Sequence, residues 1–274
     1  MLACSEPGQA AAIAALAQRS ERRPTLVAVP TTGDAERLVT DLSCLLGSDE
    51  VLTFPAWETL PFERVSPSIE TMGRRLRTIW HMADTETCPR VVVAPVRALI
   101  QQLGPGVTEI DPIVVGHGDQ IDLEALVADL VAFGYRREPQ VEHRGELAVR
   151  GSIVDVYPAT ADTPIRIDLW GDEVDRLTEF TIADQRSTVD LSEVEIFPCR
   201  ELIVTDEVRD RATALVAEDP WGREQWERLA SGELFDGRES WLPWLDEAAT
   251  GDGPVLWPDL LGPAALIGVS EPRR

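Results

Sequence analysis

The hydrophobic periodicity of this chain changes character at Gly104-Pro105-Gly106, and that change limits what the chain can fold into. Before it, helical and strand-like segments alternate. Gln9 to Ala17 is alanine-rich and helical, Thr25 to Val29 is a short apolar run, and Asp34 to Leu46 places Leu38, Leu42, Leu45 and Leu46 on one helical face. Val51 to Phe54 has strand character. Ser66 as N-cap with Pro67 at the first helical position predicts a helix whose inner face carries Ile69, Met72, Leu76 and Ile79. Val91, Val92 and Val93 then form an apolar strand leading into a helix through Leu103. Alternation of this kind predicts a parallel sheet covered on both faces.

Past the break, one amphipathic helix carries Leu123, Leu126, Val127, Leu130 and Val131, and short strands then succeed one another from Tyr135 to about Phe197. Strands without intervening helices predict an antiparallel sheet with the helix on one face. From about Cys199 the composition shifts again. Thr205 can cap a helix to about Glu218, and Trp221, Trp226, Trp241, Trp244 and Trp257 follow. These tryptophans are expected to pack helices against the first domain, since acidic rather than basic residues surround them and a base-stacking platform needs cations. The expected organisation is an α/β domain in two parts, 1–106 and 199–274, split by an α+β domain at 107–198.

All 25 basic residues are arginine. A phosphate loop of the G-x-x-x-x-G-K-[ST] kind needs its lysine on the β/γ-phosphates, so nucleotide hydrolysis by that route is excluded, as are Schiff-base and lysine-base chemistry. A net charge of −23 disfavours duplex DNA, whose phosphates demand cations, and favours a basic or arginine-bearing protein partner. Cys4, Cys44, Cys88 and Cys199 lack zinc-ligand spacing and read as reduced buried thiols of a cytoplasmic protein. His81, His117 and His143 are dispersed, so neither a metal nor a cofactor is expected. No apolar run of about 18 residues and no leader-like start occur, so a membrane partner is not expected. Asp155, Asp168, Asp172, Glu173 and Asp175 could be drawn as a two-metal nuclease cluster, but Gly171-Asp172-Glu173 reads as a polar hairpin turn.

The clearest positive signal lies in Pro164 to Trp170. Ile165, Ile167 and Leu169 share one face of a strand, while Arg166, Asp168 and Trp170 share the other. A tryptophan on the arginine-bearing face is either a docking residue, Trp and Arg being enriched at interface hot spots, or a cap on the sheet beneath a loop. As a docking residue it should contribute little to stability, and Arg166 likewise.

Four segments carry a resemblance: WETLPFERVSP (Trp57 to Pro67), EHRGELAVRGSIVDVYP (Glu142 to Pro158), IRIDLWGDEVDRLTEF (Ile165 to Phe180) and LASGELFDGRESWLPWL (Leu229 to Leu245). In order, and over most of the chain, they resemble the amino-terminal region of the bacterial transcription-repair coupling factor. The second and third are also similar to excinuclease B, the corresponding component of the nucleotide excision repair excinuclease. The resemblance implies a degenerate helicase-like (RecA-like) domain split by an inserted domain that binds excinuclease A, another component of the same excinuclease. The loop matching its phosphate site, around Pro7-Gly8-Gln9-Ala10, has no lysine.

The same resemblance assigns the contact to two arginines and an aromatic, here Arg150, Arg166 and Trp170, the last usually phenylalanine in the family. It implies partners beyond excinuclease A, namely an RNA polymerase-binding domain, a DNA translocase motor and a carboxy-terminal autoinhibitory domain. These do not fit within 274 residues, so the chain reads as a non-enzymatic fragment of an ATP- and DNA-binding parent, acting in recruitment for nucleotide excision repair. Two other readings stay open, an autoinhibitory regulator of the parent motor and a metal-dependent nuclease. A lysine-free chain should give no saturable heat on titration with Mg-ATP, whereas a micromolar dissociation constant coupled to turnover would overturn that expectation.

Overall fold

The computed structural model describes residues 8–218, 221–245, 256–261 and 266–269. Cys4 and Pro7 lie outside them. In chain order the elements are α1 (Gln9–Arg19), β1 (Thr25–Val29), α2 (Thr32–Leu46), β2 (Val51–Thr53), α3 (Ile69–Ala83), β3 (Val91–Pro95) and α4 (Val96–Leu99). Next come β4 (Ile113–Gly116), α5 (Leu123–Ala132), β5 (Arg136–Arg137), β6 (Glu146–Arg150), β7 (Ile153–Val156), β8 (Ile165–Trp170), β9 (Glu173–Phe180), β10 (Ser187–Asp190) and β11 (Glu193–Ile196). The last are α6 (Asp206–Glu218), α7 (Arg223–Ala230), α8 (Leu242–Leu245) and β12 (Leu266–Val269). The chain forms two compact units, one from Met1–Pro67, Thr78–Thr108 and Val204–Arg274, the other from Ser68–Arg77 and Glu109–Ile203. Ser68–Arg77, inside the first expected segment, groups with the second unit.

The first unit is α/β. Its strands pair in parallel in the order β12-β1-β3-β2, and every residue of β1 and β3 is buried, as a parallel sheet requires. Ala10, Ala14 and Ala17 of α1 and Ala35, Leu38 and Leu42 of α2 pack on Val27, Val29, Val91 and Val93. Of the other two leucines expected on this stripe, Leu46 packs against the same core and Leu45 faces solvent. The helix expected after β3 is a single turn. Beyond it the Gln101 side-chain amide oxygen accepts the Trp57 backbone N–H at 2.9 Å, and the Gln102 backbone is committed to a bridge with Leu256.

The cap of α3 is Ser68 rather than Ser66. The Thr71 N–H donates to Ser68 Oγ at 3.1 Å, and Met72 N–H to its carbonyl. Ser66 is held elsewhere: its hydroxyl donates to the buried Glu239 carboxylate at 2.5 Å and accepts the Gly237 N–H at 2.9 Å. Segments Trp57 to Pro67 and Leu229 to Leu245 are thus stitched together across about 170 residues of sequence. Gly237 sits at φ +80°, and a Cβ there would come within 2.6 Å of the Glu63 carbonyl oxygen, so the junction demands glycine.

The tryptophans fill the same unit. Trp257 stacks on Phe54 with centroids 4.8 Å apart, and Trp226, fully buried, meets Trp241 edge-on at 4.8 Å. Trp221 departs from the expectation, being largely exposed with its ring against Phe62. Thr205 caps α6 through the Val208 N–H.

The second unit is α+β. Its six-stranded sheet runs β10-β9-β8-β7-β6-β5 with antiparallel neighbours, except that β5 lies parallel to β6. A separate antiparallel pair joins β11 to β4. Asp122 caps α5, whose Leu126 and Leu130 are buried with Leu147, Val154, Val156, Ile167 and Leu177 from one sheet face. Val131 of the expected stripe is exposed. Arg75 of α3 and Glu201, neither with any exposed side-chain surface, form an ion pair that ties the unit's two chain segments together.

Among the free thiols, Cys88 and Cys199 are buried as expected, while Cys44 is exposed. Burial pushes the Cys199 thiol up to about 12 despite the neighbouring Tyr135 hydroxyl, so it is inert. Truncating each serine separates its role. Ser68→Ala should cost about 1 kcal/mol, a lost cap, whereas Ser66→Ala should cost about 2 kcal/mol by removing a hydrogen bond to a buried carboxylate, both read by urea unfolding.

Candidate docking site

The sheet face of the second unit that α5 does not cover carries the residues singled out above. On β8, Ile165, Ile167 and Leu169 are buried, and Trp170 on the opposite face is 82% exposed. A two-residue turn at Gly151-Ser152 pairs Arg150 with Ile153, so Ala148 lies opposite Asp155. Asp155 in turn lies opposite Arg166, and Arg166 opposite Thr178. Register alone therefore brings Arg150, Asp155 and Arg166 to one face within two strand spacings.

Asp155 is the centre of this cluster. Its carboxylate is only 1% exposed and accepts from Arg166 Nε at 2.7 Å, from Arg166 Nη2 at 2.9 Å and from Arg150 Nη2. The Arg166 pair is bidentate, the strongest arrangement available to these groups. Arg166 Nη1 also donates to the carbonyl of Gln185, a residue held at φ +59°, and the guanidinium lies 4.8 Å over the Phe180 ring. Bonding to Asp155 holds this guanidinium above its ordinary value, against the partial burial that pulls it down.

The three expected residues thus occupy different environments. Arg166 has 16% of its side chain exposed and Arg150 44%, while Trp170, at the end of β8, is mostly in solvent. Arg166 departs from the expectation of a freely presented side chain, being mostly buried against Asp155, the Gln185 carbonyl and Phe180.

The β8–β9 hairpin turns at Gly171-Asp172, with Trp170 opposite Glu173. Asp175 is an extra residue in the ladder, since Leu169 pairs with Val174 and Asp168 with Arg176. The bulge keeps both Val174 and Leu177 in the core although they are three residues apart. The carboxylates drawn as a nuclease cluster are accordingly dispersed. Asp155 is enclosed by arginines, Asp172 is in the turn, and among the described residues no group of three or more His, Cys, Asp or Glu could hold a metal ion. Among those residues no helix is long and apolar enough to cross a membrane.

The EHRGE segment shapes the approach to β6. Burial favours a protonated Glu146, but the N–H groups of Glu142 and His143, both at 2.8 Å, outweigh it and hold this carboxyl below the usual range. Gly145 sits at φ +80°, which favours glycine, and a Cβ there would meet Ile69 Cδ1 of α3 at 2.5 Å and force that side chain to shift. Sequence reasoning missed the role of Asp155. The signal was the VRGSIVD stretch, whose tight turn fixes the β6–β7 register and so places Asp155 on the arginine face.

The UvrB interaction domain family matches residues 113–202, the body of this second unit. Across the whole chain the similarity is to transcription-repair-coupling factors. That of Mycobacterium tuberculosis is 37% identical over 92% of this chain, that of Haemophilus influenzae 30% over 86%, and that of Escherichia coli 29% over 85%. The chain spans about a fifth of the length of these curated relatives, 21% in each case. It is thus a relative of the amino-terminal region of the transcription-repair-coupling factors, proteins of nucleotide excision repair coupled to transcription.

The two environments predict unequal stability effects. Trp170→Ala should shift unfolding by no more than about 0.5 kcal/mol, while Arg166→Ala should cost about 2 kcal/mol through lost charge-assisted hydrogen bonds, both measured by urea denaturation.

Proposed function

We propose that the chain is the recruitment module of a transcription-repair coupling factor. In this reading the second unit binds excinuclease A and brings nucleotide excision repair to a stalled RNA polymerase. The observation that carries it is Trp170, an indole left in solvent on a strand whose alternate residues are all core. A large aromatic with half-exposed Arg150 on the same sheet face has the composition of an interface hot spot, and docking would remove its apolar surface from water. The match to a UvrB interaction domain over the same residues supports the same reading.

The first unit is, on this proposal, a degenerate helicase-like domain. Its parallel sheet suits a nucleotide-binding ancestry, and Gly8 to Ala10 now simply open α1 in a chain without lysine. The unit performs no hydrolysis. ATP-driven movement on DNA and contact with RNA polymerase belong to the parent protein, and the net charge of −23 leaves duplex DNA a poor partner for this chain in the cytoplasm.

Calorimetry of the chain against purified excinuclease A tests the reading. Saturable binding is expected, with Trp170→Ala weakening it by at least about 2 kcal/mol, roughly 30-fold. No binding by the wild-type chain, or full affinity without the indole, would overturn it.

A further inference from the structure

We infer that Asp155 is a positioning residue of the docking face, and that Arg166 acts through it rather than by touching the partner. The inference rests on the docking role proposed above. Its basis is the division of labour around one buried carboxylate. Asp155 has 1% of its side chain exposed, so it cannot meet a partner itself, yet it accepts from both arginines at once.

Arg166 commits Nε and Nη2 to Asp155 and Nη1 to the Gln185 carbonyl, and its flat face covers Phe180. Little of it is left to present. Arg150 has one hydrogen bond to Asp155 through Nη2 and nearly half of its side chain in solvent. Asp155 therefore fixes the direction of the Arg150 guanidinium, which would otherwise sample many rotamers and lose that freedom on docking. Arg166 neutralises the carboxylate that does the fixing. A lone buried Asp beside a single half-exposed Arg would be poorly compensated, whereas a bidentate second arginine makes the burial tolerable. Trp170 and Arg150 are left as the groups that meet excinuclease A.

A double-mutant cycle on the whole chain tests this, with affinity for purified excinuclease A read by calorimetry and folding checked by thermal melt. Asp155→Asn should weaken binding about tenfold while Arg150 is present and less than about twofold in the Arg150→Ala background, because the carboxylate acts only through that guanidinium. A purely structural role would lower affinity by the same factor in both backgrounds and would overturn the inference. So would unchanged affinity in Asp155→Asn. If Arg150→Ala alone leaves affinity intact, the docking role of this arginine falls, and that outcome is separate from failure of the coupling. Should Asp155→Asn not fold, the pair Asp155→Asn with Arg166→Met removes the opposed charges together while keeping an apolar cover on Phe180, and it is judged by the same criterion.

Discussion

A carboxylate withdrawn from water must be met by positive charge or it forces the surrounding structure apart, and Asp155 imposes that condition on the second unit. Meeting it requires the β6–β7 turn to hold its register, β8 to present Arg166 opposite Asp155, and the chain after β9 to bend back so that the Gln185 carbonyl completes the guanidinium's bonds. A slip of one residue in any of these strands would bury an arginine or expose a core isoleucine. The polar cluster therefore specifies the sheet as much as the apolar face does, while the opposite face packs on α5 through aliphatic side chains such as Leu147, Val154 and Ile167.

The first unit solves a different problem, which is to join chain segments far apart in sequence. Its fasteners are small: one serine hydroxyl between Glu239 and the Gly237 N–H, one glycine that lets two backbones approach, and one stack of Trp257 on Phe54. The first two contacts explain why the segment Trp57 to Pro67 carries Ser66 and the segment Leu229 to Leu245 carries Gly237 and Glu239. Their shared chemistry is structural, and the exposed Trp170 of the other unit stands apart from it.

The parallel and antiparallel sheets were legible because periodicity reports burial directly: Val91 to Val93 and the alternation of Ile165, Ile167 and Leu169 could hardly read otherwise. Capping was less legible, since Ser66 and Ser68 both satisfy the local rule and only the distant Glu239 decides between them. The same holds for the docking face. The alternation placed Arg166 and Trp170 together, but which of them is free depends on Asp155, whose partners come from two other strands. The β9 bulge was invisible for a related reason: an extra residue in a ladder breaks the period on which the reading depends.

The strand order of the first unit also sets a timetable for synthesis. β1 pairs with β3 on one side and with β12 on the other, so after it leaves the ribosome β1 must wait until residues 266–269 have been made before its second edge is covered. The second unit draws only on residues 68–77 and 109–203, and all of them have emerged before α6 is made. A nascent chain can therefore complete the sheet that bears Trp170 while the first unit still has an open edge, and the interval between the two is when that edge is most exposed to pairing with another chain.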